Sequence, residues 1–362
     1  MPFADELLGR DAVVDLSTIL GGGAALPGLR RVADGLDGLG FRERVNAIRG
    51  AVLEDVPGDF PGLAGLVRNA LRDPRFTGWM TFPVTEAVAI RGQEHVEDAL
   101  ALLAALTPRL TAETALRWFL DEHLERCLAV VREWTVHPDE HVRRLASEGV
   151  RPRLPWAPQA RRLVADPGPI VPILDALYRD ESEYVRRSVA NCVNDISRDH
   201  PELAVRIAQG WLAEPDGSTA SVARHALRTL IKRSDVEALA CIGVDARAAI
   251  DVAGPRVRTP VVTMGEELAF DCRVTLEGSA RARVAADYVI HFASARGAER
   301  EKVFKLGVRD LEPGASWDIA RRHRFTPIST RRYYDGEHAV SIQVNGVRTD
   351  RAGFLLDGAG PR

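Results

Sequence analysis

Within fourteen residues, Arg143-Arg144-Leu-Ala-Ser-Glu148-Gly-Val-Arg151-Pro-Arg153-Leu-Pro-Trp156 sets one carboxylate and one tryptophan among four arginines. A packed interior has little use for that mixture. A surface that grips a polyanion and stabilises positive charge at one point can use every part of it. Related polar spacings recur elsewhere. Arg187, Asn191 and Asp195 fall at i, i+4 and i+8, the spacing of one helical face, and Glu113, Arg117 and Asp121 repeat it upstream. Arg224 and Arg228 repeat the arginine spacing downstream. If the helices carrying these residues line one concave side, Glu113, Glu148 and Asp195 converge inside a rim of arginines.

Each residue also fits a plain structural role. Glu113 follows Thr111 and suits the acidic first turn of a helix. Glu148 is an i, i+4 partner for Arg144, a contact worth a few tenths of a kcal/mol. Asp195 suits a solvated helix face or an inter-helix hydrogen bond, and Trp156 between Pro155 and Ala157 suits a loop cap on a core. His137 and His141 have the spacing of a zinc pair but lack a third ligand, and Pro138 starts a helix between them. No metal or other cofactor is expected. No phosphate-binding glycine loop, nucleophile elbow or dinucleotide fingerprint is present, which argues against nucleotide-dependent and serine-hydrolase chemistry.

The elements that must position these residues fall into two halves. The chain has 362 residues, 46% hydrophobic and 27% charged, enough for two cores. Its net charge is only -3, so any polyanion-binding surface must be local. Of 48 basic residues only Lys232, Lys302 and Lys305 are lysines; that arginine excess fits a GC-rich genome, so placement carries the argument. Four scattered cysteines without a CxxC suggest buried thiols. Neither a signal-peptide pattern nor a membrane-length apolar run is seen, and a cytoplasmic monomer is expected.

Residues 1–252 read as helices. Val185, Val189, Cys192, Val193 and Ile196 form one stripe, and Ala115–Leu128 and the Val222–Ile231 segment repeat the pattern. Val142, Val185 and Val222 open comparable helices about 40 residues apart, the period of HEAT-type helix pairs. The first 65 residues, interrupted by Gly21-Gly22-Gly23, Gly35, Gly38 and Gly40, suggest short helices with mobile joins and no chemistry. Val252–Pro260 looks like a linker. From residue 259 to 362 the period becomes two, and about seven short strands separated by turns such as Asn345-Gly346 suggest an antiparallel immunoglobulin-type sandwich. The expected fold is therefore mainly α: a HEAT-like α-solenoid followed by a small all-β domain.

Thr111-Ala-Glu113-Thr-Ala-Leu-Arg117-Trp-Phe119, the run His141–Trp156 and Tyr184-Val-Arg-Arg-Ser-Val-Ala-Asn-Cys-Val-Asn-Asp-Ile-Ser197 resemble the AlkC branch of the AlkC/AlkD bacterial DNA alkylation-repair glycosylases. The resemblance spans roughly residues 60–240, and some members of that family carry a C-terminal immunoglobulin-like domain. Arg331–His338 would lie near the end of that domain here. The resemblance implies excision of cationic N-methylated bases from double-stranded DNA, chiefly 3-methyladenine and also 3-methylcytosine or 1-methyladenine, without full base flipping. It assigns Glu113, Glu148 and Asp195 as active-site carboxylates and Trp156 as the aromatic against the damaged nucleotide. It places Arg144, Arg151, Arg153 and Arg187 on the DNA-facing surface, and the spacing of Arg224 and Arg228 adds them as expected DNA-binding residues. The competing expectation is a non-enzymatic HEAT-repeat adaptor or DNA-structure-binding protein. The carboxylate set together with Trp156 favours the enzyme.

Overall fold

The computed structural model describes residues 4–293, 300–327 and 332–360. Arg331, the first residue of the expected Arg331–His338 segment, lies outside them. The chain divides into two compact units, Met1–Ala226 and Leu227–Arg362. Among the described residues no helix is long and apolar enough to cross a membrane.

In the first unit three helices form an inner row. Glu140–Glu148 packs against Glu183–Ile196, which packs against Thr219–Ala226. Each starts where the sequence supplies a cap or an acidic first turn. Asp139 accepts from the His141 N–H at 2.8 Å, and Asp216 accepts from the Ser218 and Thr219 N–H groups at 2.8 Å. Each buries its valine stripe: Val142 and Leu145; Val185, Val189, Cys192 and Val193; Val222 and Ala226. Val171–Leu177 and Pro201–Ala213 pack behind them as an outer row, tied by Trp211 Nε1 donating to Asp175 at 2.8 Å. Glu140–Glu148 ends at Gly149, and the next layer comes close there. A Cβ there would stand 2.6 Å from Leu116 Cδ2.

Two expectations change here. Ala115–Leu128 is not one helix: Leu116–Glu122 stops at His123 and Leu124–Glu133 begins afresh. The N-terminal region is more regular than its glycines suggest, with Arg10–Leu20, Phe41–Asp55 and Phe60–Ala70 each burying an apolar face. Gly21, Gly22, Gly23, Gly35, Gly38 and Gly40 fall between helices, where Gly22 and Gly23 take positive φ in a turn. Thr81–Arg91 buries nearly every side and so shows no helical period.

The second unit begins with the short helices Arg228–Lys232 and Val236–Cys241. The strands are β1 (Ile250–Val257), β2 (Val261–Thr263), β3 (Glu267–Leu276), β4 (Ala282–Phe292), β5 (Arg300–Leu311), β6 (Ser316–Arg324), β7 (Gly336–Val344), β8 (Val347–Arg348) and β9 (Ala352–Asp357). One sheet runs β1-β3-β6 and the other β2-β9-β7-β4-β5, with β8 on β7. Their alternating inward residues, among them Phe270, Trp317, Ile290, Val340 and Phe354, make the core. Asn345 and Gly346 both take positive φ in the β7–β8 turn, as an Asn-Gly hairpin requires. The segment that reads as a linker is largely β1, whose register shifts between Ala253 and Arg256 around Gly254-Pro255. The β2–β9 pair is parallel, an exception to the antiparallel expectation.

Candidate active site

Three carboxylates and two arginines from separate elements join in one chain of contacts. Glu113 lies in the turn before Leu116–Glu122, where the Thr111 hydroxyl donates to Glu113 Oε2 at 2.5 Å. Arg144 Nη1 donates to the same oxygen, and Arg144 Nη2 lies 3.5 Å from Glu148 Oε1. Arg151 Nη1 donates to Glu148 Oε1 at 2.5 Å, while its Nε donates to Asp195 Oδ2 at 2.8 Å. The Ser188 hydroxyl donates to Glu148 Oε2 at 2.7 Å and accepts from Ser147 at 2.6 Å. Negative and positive groups thus alternate from Glu113 to Asp195. Pairing of this kind is what lets ionised groups persist where water is scarce.

The network is graded in access. The Glu113 side chain keeps 17% of its surface exposed, whereas Asp195 as a residue keeps 2%. Burial raises the Asp195 pKa, opposed by the Arg151 hydrogen bond and charge. Burial also pulls the Arg151 guanidinium down, but Asp195 and Glu148 more than offset it and hold the cation firmly charged. Arg144 lies over the Tyr184 ring, 5.1 Å from its centroid, which orients the guanidinium that joins Glu113 to Glu148.

Trp156 projects from the loop after Arg151. It is 66% exposed and has φ 62, a left-handed backbone that bulky residues rarely adopt. Two arginines hold this loop. Arg151 is anchored to Asp195, and Arg153 closes its fork on Asp199 at 2.9 and 3.0 Å. The Ala160 N–H donates to the Pro152 carbonyl at 3.1 Å and ties the loop's ends together.

The arginines expected on a DNA-facing surface separate into classes. Arg144 and Arg151 are paired with the carboxylates, and Arg151 is buried. Arg153 is paired with Asp199. Arg187 is exposed, with an i, i+4 contact to Glu183 at 3.0 Å. Arg224 is half-buried near the end of Thr219–Ala226. Arg228 does not share that helix: the helix stops at Ala226, and Arg228 opens a separate one in the second unit. Arg143, from the same run as Arg144, is buried and binds Asp180 at 2.7 and 3.0 Å.

Two further residues stand where the sequence does not put them. Arg117, expected on a polar face, is 3% exposed, and its three nitrogens have no hydrogen-bond partner among the described residues. Burial drives its pKa down to about 10, so it remains a cation at neutral pH, with Asp121 and Glu113 favouring the charge and Arg151 opposing it. Phe41 meets Trp156 with ring centroids 6.4 Å apart. Only the fold could reveal that pairing across so many residues.

Residues 251–358 match the model of a C-terminal immunoglobulin-like domain family named for the uncharacterised protein YhaZ. The uncharacterised YhaZ of Bacillus subtilis (strain 168) is 34% identical over 318 residues, 88% of each chain. The Pseudomonas fluorescens alkylpurine DNA glycosylase AlkC, solved bound to DNA containing an abasic-site analogue, is 34% identical. It aligns over 99% of this chain and all of its own, with a TM-score of 0.89. This chain belongs to the AlkC family of alkylbase DNA glycosylases and carries the C-terminal immunoglobulin-like domain. In this AlkC-type chain the Glu113–Glu148–Asp195 network lies within the helical unit, and the family-model match lies within the other.

Proposed function

We propose that this AlkC-type glycosylase excises cationic N-alkylated bases, 3-methyladenine foremost and also 3-methylcytosine or 1-methyladenine, from duplex DNA without full base flipping. The observation that carries the reading is the convergence of Glu113, Glu148 and Asp195 through Arg144 and Arg151, in a chain that aligns end to end with an AlkC solved on abasic-analogue DNA. N3-alkylated adenine already carries positive charge, so its departure needs no acid. The C1′–N bond breaks, its electron pair leaves with the base, and the base becomes neutral. Positive charge then develops on the sugar.

Glu113 and Glu148 stabilise that charge electrostatically from a poorly hydrated cleft. Trp156 offers an aromatic face to the same cation, worth about 0.5–2 kcal/mol. Water attacks C1′ and its proton passes to Asp195. A carboxylate whose pKa is raised by burial is a stronger acceptor than an ordinary one. Arg187 and Arg224 supply phosphate contacts, which position the duplex and carry no sequence preference. Lesion charge and bond weakness then set selectivity, rather than hydrogen-bond readout of an extruded base.

Asp195→Asn and Glu148→Gln test this directly. Each is expected to abolish single-turnover release of 3-methyladenine from N-methylated duplex while duplex affinity stays roughly within threefold. Wild-type release rates in both variants would refute the assignment.

A further inference from the structure

We infer that Phe41, backed by Trp79, is a positioning residue that holds Trp156 for the reaction, an inference that rests on the glycosylase reading above. The Trp156 ring is mostly exposed and sits on a left-handed backbone, so the loop alone leaves its ring free to reorient. Phe41 is the side chain that meets it, with ring centroids 6.4 Å apart and planes at 54°. Behind Phe41 stands Trp79, edge to face at 5.1 Å and 83°, with Phe82 6.1 Å from Phe41 and 6.0 Å from Trp79. Aromatic pairs at such separations favour defined tilts over free rotation.

The platform is itself held rigidly. Phe41 is the first residue of the helix Phe41–Asp55, whose start is fixed by the Gly40 N–H donating to Glu43 Oε2 at 2.7 Å. The same helix is locked by a fully buried carboxylate. Glu86 accepts from Arg42 at 2.6 and 3.0 Å and from Arg49 at 2.8 Å. Trp79 is tied toward the carboxylate network from the other side. The Thr77 hydroxyl donates to the Arg109 carbonyl at 2.8 Å, two residues before Thr111, the partner of Glu113. The rings are therefore joined to the network along two routes, one through the Arg151-anchored loop and one through Thr77. Phe41 is only half-buried, as suits a ring that supports a neighbour at the surface rather than filling a core.

The test is a double-mutant cycle with a spectroscopic arm. Phe41→Leu keeps apolar bulk while removing the ring, Phe41→Tyr keeps the ring, and Phe41→Ala is the larger truncation. Phe41→Leu should slow single-turnover release of 3-methyladenine about tenfold. In a Trp156→Ala background the same change should cost less than about twofold, because the partner it acts through is gone. Phe41→Tyr should restore the rate. An equal cost in both backgrounds would make Phe41 an ordinary packing residue and overturn the inference. In 5-fluorotryptophan-labelled protein, with the Trp156 signal assigned by Trp156→Phe, Phe41→Leu should move or broaden that signal and Phe41→Tyr should not. An unmoved signal overturns the inference. This arm needs no catalysis, so a wild-type protein that releases no base would count against the glycosylase reading alone.

Discussion

Asp195 is placed where its stability and its chemistry oppose each other. Its pKa is raised because burial penalises the carboxylate more than Arg151 and Arg198 help it, with Glu148 adding repulsion. Native-state protonation is thereby favoured. The stability contributed by Asp195 is present below its unfolded pKa and lost as pH rises through the folded one. Catalysis needs the ionised form, so activity moves the other way. The single-turnover rate should fall on the acid side with a midpoint above the ordinary 3.8, and Asp195→Asn should melt no lower than wild type at neutral pH while being inactive. An acid limb at or below that ordinary value, or a clearly lower melting temperature, would contradict this account. Arg117 presents a related cost without a hydrogen-bonded partner among the described residues. Its buried guanidinium leaves three nitrogens without hydrogen bonds among the described residues. Arg117→Met, which keeps the length and removes the donors, should raise unfolding free energy by about 1–3 kcal/mol in urea titrations. A loss of stability would show that the cation is needed to balance the neighbouring carboxylates.

The loop Arg151–Ala160 is the element on which site geometry turns, because it carries a strained, exposed Trp156 just after two anchored arginines. If Arg153 clamps the loop through Asp199, then Asp199→Ala and Arg153→Ala should slow excision alike, by about two- to fivefold for a partly exposed pair, with the salt dependence of DNA binding unchanged. If Arg153 instead served a phosphate, Asp199→Ala would free the guanidinium and tighten binding, the opposite sign. Elements of this molecule were legible to the extent that they expose one face. The inner helices show their valine stripes and β3 shows alternation, because each has a wet side and a dry side, whereas β4 and β7 alternate only over their first halves and are buried on both faces beyond them. Thr81–Arg91 is dry nearly all round and has no period to read. β1 is broken in register by Gly254-Pro255, so its strand character is hidden behind residues typical of a linker. At the site, Glu148 and Arg151 are local in sequence and legible together, whereas Phe41 meets Trp156 only through the fold. Arg117 misleads for a further reason: helical spacing assigns a face, and nothing in the spacing says whether that face meets water or another layer.

At the scale of the whole chain, the two units carry separate apolar cores, so each should unfold as its own cooperative transition. The boundary matters for how the second unit is cut. The family match begins at residue 251, yet the unit begins at Leu227, because the short helices before β1 are packed onto the β7–β8 turn. Gly346 sits so close that a Cβ would stand 3.0 Å from Ser234 Cβ and 3.1 Å from Leu239 Cδ1. Asn345 Nδ2 donates to the Asp245 carbonyl at 2.9 Å and to the Arg283 carbonyl at 3.2 Å, fastening turn, helices and β4 together. Removing residues 227–249 uncovers that turn, leaves the Asn345 amide short of a partner and deletes the buried Leu239. Loss of one buried leucine is worth ~2 kcal/mol. At about 4 °C per kcal/mol for a domain of this size, a fragment of residues 250–362 should melt roughly 8 °C below one of residues 227–362. Both fragments should give cooperative melts followed by circular dichroism, since the sandwich core is intact in each. Equal melting temperatures would mean that the two helices do not stabilise the sandwich, and the natural boundary would then move to the start of β1.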